Sequence, residues 1–266
     1  MSTDVAAPRR SRFRAALARP DAPALGTWVK LPVMESVELL ALAGFDFVVV
    51  DLEHAPIDLQ TAYQLIGTAN HLGLAPIVRI PALDPGLTQR ILDAGAEGVM
   101  VPHVDTVEQA RAAVAAVRFP PLGARGVGST SRAGAWGAMP RAEYLRYGQE
   151  EVVLVVQIES ARAASSAGAV AAVPGVDRLL VGAADLSTSE GTTEDDPRVV
   201  ALVGSAVKDC LAAGVPIGNS GGADADAVRR AADAGFSFTL LSNDASLLGA
   251  AARAAVQAGR TVRHRR

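Results

Sequence analysis

A single closed (β/α)8 TIM barrel of the α/β class is the fold predicted by three features of the sequence: eight short apolar runs, helical segments between them, and glycines where those segments end. At 266 residues, 50% of them hydrophobic, the chain can bury one large core, and parallel barrels reach this length as one domain. Residues 1–266 are therefore read as one barrel domain, with 1–20 a basic helical N-terminal extension and 259–266 a basic C-terminal tail.

The predicted strands are, in order, Leu25–Leu31, Phe45–Leu52, Ala75–Ile80, Gly98–Pro102, Val152–Ile158, Arg178–Gly182, Val215–Gly218 and Phe236–Leu241. Runs such as FDFVVVDL and VVLVVQI are continuously apolar, as in strands buried on both faces, so the sheet should be parallel. Between them, Leu59–Leu72, Pro85–Ala96, Val107–Arg118, Arg162–Val173, Pro197–Ala213, Ala223–Ala234 and Ala245–Ala258 carry Ala, Leu, Arg and Gln at helical spacing. Gly73, Gly95, Gly214 and Gly235 follow as left-handed C-caps. A doubly wound open sheet is the structural rival, but no GxGxxG follows the first strand.

One connection is out of scale. The segment between Arg118 and Val152 contains Arg125, Arg132 and Trp136 among many glycines, and long connections in compact domains are usually functional, so it is read as a loop over the site.

Composition excludes several classes of partner. A net charge of -3 with the signs mixed gives no field for nucleic acid or an anionic membrane, and a small molecule is favoured. No apolar run follows the arginine-rich start or reaches the length of a membrane span, so the expected location is cytoplasmic. Cys210 stands alone and is read as a buried structural thiol.

Barrel enzymes carry their chemistry at the C-terminal strand ends. Here those ends are polar: Asp51, Glu53 and His54 after strand two, Arg79 after three, Gln157 and Glu159 after five, Gly182-Ala183-Ala184-Asp185 after six, and Asn219-Ser220 after seven. Glu159 and Asp185 close adjacent strands and would repel unless shared by a cation. Oxygen ligands with open positions suit Mg2+ or Mn2+. The alternative is that each carboxylate caps a helix, as Asp185 before Leu-Ser-Thr could. His54, beside Glu53, is the candidate for proton transfer, ahead of His71 and His103. Arg79 ends a buried strand and needs anionic company, either an enolate oxygen or an internal salt bridge to Asp51 or Glu53. The backbone N–H groups of Gly182, Ala183 and Ala184 could face a substrate carboxylate. A loop such as GNSGGAD could likewise face a phosphate.

Taken in order, DLEHAP, VRIP, ILDAG, FPPLGARGVG, RAGAWG, QIES and GAADLS resemble the HpcH/HpaI aldolase family over Gly26 to Ala258. The resemblance implies a metal-dependent class II aldolase that joins a pyruvate-type enolate to an aldehyde or cleaves a 4-hydroxy-2-oxo acid. It implies that Glu159 and Asp185 ligate the metal, that Gln157, Ala184 and Asp185 contact the 2-oxo acid, and that Arg79 stabilises the enolate. His54 would be the proton acceptor, with Asp93 raising its basicity across a subunit boundary. Such assembly implies a homo-oligomer, in relatives often a hexamer.

Three departures touch the mouth: Ala183 where relatives commonly have proline, Leu52 where many have glycine, and a short acidic segment after Asp185. They leave the acceptor aldehyde open. The rival readings are a lyase or synthase acting on a CoA ester or phosphoenolpyruvate, which Arg125 and Arg132 would serve, and a non-catalytic barrel subunit. A Schiff-base aldolase has only Lys30 as its amine near the mouth.

Overall fold

The computed structural model describes residues 9–262, so the outer parts of the two predicted terminal extensions, 1–8 and 263–266, lie outside the described residues. The elements follow as α1 (Arg12–Leu17), β1 (Ala24–Val29), α2 (Met34–Ala43), β2 (Phe47–Asp51), α3 (Leu59–His71), β3 (Ala75–Arg79), α4 (Pro85–Asp93), β4 (Gly98–Val101) and α5 (Val107–Val117). A 3-10 turn (Arg132–Gly137) then precedes α6 (Arg141–Glu150), β5 (Val153–Ile158), α7 (Ala161–Ala171), β6 (Arg178–Val181) and α8 (Ala183–Ser189). The chain ends in α9 (Pro197–Ala212), β7 (Ile217–Gly221), α10 (Ala225–Asp233), β8 (Phe238–Asn243) and α11 (Asp244–Arg260). The eight strands pair in parallel in sequence order, and β8 closes on β1.

Residue alternation along each strand divides the apolar side chains into two populations. Phe47, Val49, Ala75, Ile77, Val153, Val155, Phe238 and Leu240 fill the barrel, while Val48, Val50, Val78, Leu154 and Val156 pack outward under the helices. Large rings inside demand small neighbours. A Cβ on Gly26 or Gly218 would lie 2.3 Å from the ring of Phe47 or Phe238.

Helix α1 closes the N-terminal end. Phe13 is 1% exposed and packs with its ring centroid 4.7 Å from Phe47 and 5.4 Å from Phe238. Around it, Glu97, Glu151 and Asp177, which precede β4, β5 and β6, accept ion pairs from Arg12, Arg10 and Arg14. Arg118 also pairs with Asp177.

Helix ends follow their residues. Asp58, Asp84 and Asp224 cap α3, α4 and α10, Thr106 and Gln109 form a reciprocal capping box on α5, and Gly73, Gly95, Gly214 and Gly235 adopt positive φ after the helices they follow. Cys210 is buried in α9, and burial pushes its thiol up to about 12. No helix among the described residues is long and apolar enough to cross a membrane.

The long connection corrects one expectation. It does not cover the mouth of its own barrel: Arg132 donates to the carbonyls of Tyr63 (2.6 Å) and Ala94 (3.1 Å), and Arg125 pairs with Asp93 at 2.9 Å. These arginines find their acceptors on α3 and α4, at the flank of the barrel, and the segment follows them there.

Candidate active site

A cavity of about 470 Å3 opens at the C-terminal strand ends and is lined from β1, β3, β5, β6, β7 and β8, from the turns after β2 and β6, and from the acidic turn between α8 and α9. A second cavity, about 450 Å3, lies against the N-terminal segment and is lined by Arg9, Arg10 and Arg12. Arg10 and Arg12 there are already paired with Glu151 and Glu97, and it lacks the converging carboxylates of the mouth. The mouth is therefore the candidate site.

Asp51 is the buried anchor of the site. The register between β2 and β3 sets Asp51 directly beside Arg79, whose Nε and Nη2 donate to its two oxygens at 3.0 and 2.7 Å. The backbone N–H groups of Glu53 and His54 each donate to Asp51 Oδ1 at 3.1 Å, folding the chain back so that both residues lie at the mouth. Burial pushes the Asp51 carboxyl up, but hydrogen bonds and charge from Arg79, the His54 N–H and Lys30 outweigh it and hold the group below its usual range.

Arg79 continues outward from this pair. Its Nη1 lies 3.1 Å from Glu53 Oε2, its guanidinium sits 4.1 Å from the ring centroid of Trp28, and the side chain still lines the cavity. Both internal salt bridges considered for Arg79 are therefore present. Lys30 also reaches the mouth, with Nζ 3.4 Å from Asp51 Oδ2. The half-exposed ring of His54 lines the cavity, and its Nε2 is 3.8 Å from Glu53 Oε2.

Glu159 and Asp185 reach the cavity in different states. Glu159 is 5% exposed and accepts the Gln157 Nε2–H at 2.8 Å and the His103 backbone N–H at 2.9 Å. Burial pushes its carboxyl up, His103 opposes that, and the charges of Glu53 and Asp185 push it further up. Gln157 Oε1 is buried without a hydrogen-bond partner among the described residues. Asp185 is exposed in the first turn of α8, where Gly182 is the N-cap, so its carboxylate does not cap that helix.

The turn after β6 needs a residue without a side chain, because a Cβ on Gly182 would lie 2.9 Å from Glu159 Cγ. Its N–H donates to Ile158 O at 3.0 Å, which corrects the expectation that Gly182 offers an N–H to a ligand. Ala183 and Ala184 begin the helix, where N–H groups have no partner within the helix, and both residues line the cavity.

The remaining candidates separate. Asp93 lies at the end of α4, outside the mouth of its own chain, and accepts from Arg125 at 2.9 Å and from the Tyr144 hydroxyl at 3.1 Å. His71 turns its Nδ1 to the carbonyl of Gly67 at 2.7 Å, in the last turn of α3. His103, ranked below His54 in sequence, has one ring nitrogen 3.2 Å from Glu53 and the other 3.2 Å from Glu159. Its φ of 55° is uncommon for a residue with a side chain. Sequence reading misses this bridge because its two acids follow β2 and β5 whereas the histidine follows β4. It also misses Trp28, Glu194, Ser242 and Asn243, which line the cavity without any local motif to mark them.

Comparison with known proteins shows the family. The family model described as HpcH/HpaI aldolase/citrate lyase matches residues 24–251. A hydroxypyruvate/pyruvate aldolase of Chromohalobacter salexigens is 41% identical over 230 residues, covering 85% of this chain and 89% of that protein. A 2-dehydro-3,6-dideoxy-6-sulfogluconate aldolase of Pseudomonas putida is 39% identical over 237 residues, covering 87% and 90%. Among solved structures, an HpcH/HpaI aldolase/citrate lyase family protein from Burkholderia cenocepacia superposes with a TM-score of 0.86 at 38% identity, covering 93% of this chain and 98% of that one.

Proposed function

The chain belongs to the HpcH/HpaI aldolase/citrate lyase family, and we propose that it is a divalent-metal-dependent aldolase that makes or cleaves 4-hydroxy-2-oxo acids through a pyruvate-type enolate and an aldehyde. One observation carries this reading. Glu159 and Asp185 line one cavity with Arg79, His54 and Gln157, and Gln157 Oε1 is buried without a hydrogen-bond partner among the described residues.

These residues fit a hard cation. Burial, with the neighbouring carboxylates adding to it, pushes the Glu159 carboxyl up, a cost that a cation would relieve, and Gln157 Oε1 is a buried acceptor in want of a donor or ligand. No group of three His, Cys, Asp or Glu side chains among the described residues could hold a metal. A pair of carboxylates leaves coordination positions open, which suits Mg2+ or Mn2+ with water and substrate. Glu159 and Asp185 would hold such an ion, which would lower the cost of negative charge developing on the 2-oxo group.

The protein's own groups supply the rest. The N–H groups of Ala183 and Ala184 bind the substrate carboxylate, and Gln157 orients its 2-oxo group. Arg79 faces the developing enolate oxygen, and its pairing with buried Asp51 fixes the guanidinium before the charge appears, so little reorganisation is needed. In synthesis His54 takes a proton from the pyruvate methyl carbon and the new alkoxide is protonated in its place; in cleavage His54 takes the C4 hydroxyl proton as the C3–C4 bond breaks, and the enolate carbon is protonated. Asp93 lies away from this mouth, so its support of His54 requires a neighbouring copy and hence a homo-oligomer.

Reading the site as that of a CoA-ester enzyme finds less support. Arg125 and Arg132, the cations that would serve the nucleotide, are engaged at α3 and α4. The test is to strip metal with a chelator, follow pyruvate release from a panel of 4-hydroxy-2-oxo acids, and then restore Mg2+ or Mn2+. Activity should vanish and return, and activity that survived chelation would overturn the proposal.

A further inference from the structure

The rim of the mouth carries groups that the chemistry above does not use. Glu194, in the acidic turn between α8 and α9, lines the cavity with Ser220 and Gly221 at the end of β7 and Ser242 and Asn243 at the end of β8. The Ser220 hydroxyl accepts from Trp28 Nε1 at 3.0 Å, so its own proton remains available to a ligand. Asn243 uses its side-chain oxygen on the Ser246 N–H at 2.8 Å, at the start of α11, which leaves its amide hydrogens available. This wall offers hydroxyls, an amide and backbone, but no arginine.

Charge on the same surface is one-sided. Asp51, Glu53, Glu159 and Asp185 are only half offset within the chain by Arg79 and by Lys30, whose amine is already 3.4 Å from Asp51. A divalent ion would bring the inner site near neutrality, and a bound 2-oxo acid would make it anionic again. Glu194 then adds a further negative charge at the entrance, where the second substrate must arrive.

We propose that Glu194 sets the charge of the acceptor, so that the mouth selects neutral, hydroxylated aldehydes over aldehydes that carry a carboxylate. The reading rests on the aldolase function proposed above. Ser220, Ser242 and Asn243 supply hydrogen bonds to acceptor hydroxyls, and Glu194 repels an acceptor carboxylate. Repulsion between two like charges in a partly screened cleft is enough for a discrimination on the order of tenfold in kcat/KM.

Two measurements separate this inference from its premise. First, exchange of the pyruvate methyl protons for deuterium, followed by NMR with wild-type protein, metal and no aldehyde, tests enolate formation alone. No exchange would sink the aldolase reading itself. Second, kcat/KM for pyruvate addition is compared between glyceraldehyde and succinic semialdehyde at low ionic strength, in wild type, Glu194→Gln and Glu194→Lys. Because the readout is a ratio of two acceptors, a general loss of activity cancels. The neutral acceptor should be preferred on the order of tenfold in wild type, with the preference reduced in Glu194→Gln, reversed in Glu194→Lys and weakened by salt. Should Glu194→Lys fail to fold, the glutamine variant and the salt series decide. Exchange without charge discrimination, or discrimination that the variants leave unchanged, would overturn the role of Glu194.

Discussion

Replacing Asp51 with asparagine tests the anchor on which the mouth is built. The side chain has no exposed surface, and its oxygens accept two hydrogen bonds from Arg79 and two from backbone N–H groups, with Lys30 Nζ 3.4 Å away. Asparagine removes the charge and turns one acceptor into a donor that faces donors. Breaking a buried ion pair from one side costs about 3–5 kcal/mol. Arg79 would keep Glu53 and the Trp28 ring, so the expected loss is at the lower end, about 3 kcal/mol, or about 6–12 °C in Tm for a chain of this size.

The acid dependence has a definite sign. Asp51 is held below the ordinary aspartate value of 3.8, so its contribution is fully present above that pH and is lost as the pH falls through the lower folded-state value. Wild type and Asp51→Asn should therefore differ most near neutrality and converge below pH 3.8. Urea denaturation across that range measures both, and a cycle with Arg79→Met isolates the pair. Equal stability at pH 7, a constant gap into acid, or additivity within about 0.5 kcal/mol in the cycle would refute the coupling.

His54→Ala should lower turnover by about 10^2–10^4 while metal affinity, measured by calorimetry, stays nearly the same; equal loss of both would make the histidine structural or a ligand. His54→Ala and Asp93→Asn should each be nearly inactive, yet co-assembled at equal amounts they should recover about a quarter of wild-type activity, because a site shared by two subunits is then intact by chance. No recovery on mixing would confine Asp93 to its contacts with Arg125 and Tyr144.

Much of this architecture was legible because parallel strands buried on both faces write their boundaries into apolar runs. Leu25–Leu31, Phe45–Leu52 and five of the six runs after them each contain all or most of an observed strand; Val215–Gly218 holds only the first two residues of β7, Ile217 and Gly218, and β7 and β8 run three and two residues further toward the mouth. Helix α2 is not singled out by the sequence: Val33 at its N-cap offers no capping side chain, and Leu39 and Leu42 face solvent and blur its apolar stripe. The polar strand ends could be read because a barrel gathers its C-terminal termini at one mouth. Partnerships across the barrel could not. Arg79 beside Asp51 depends on register, His103 between Glu53 and Glu159 on three strands at once, and the position of the long connection on carbonyls of α3 and α4 that no motif announces.

Phe13, seated between Phe47 and Phe238, makes the order of synthesis matter. A nascent chain emerges from the ribosome with this aromatic stopper first, yet one wall of its socket is translated more than two hundred residues later. The floor can seal only once the last stave has arrived, so the N-terminal turn must wait, unburied, until β8 has been made. Trimming the chain through Leu17 would take away the stopper and three of the arginine clasps around it, and should leave a barrel open at the end remote from catalysis.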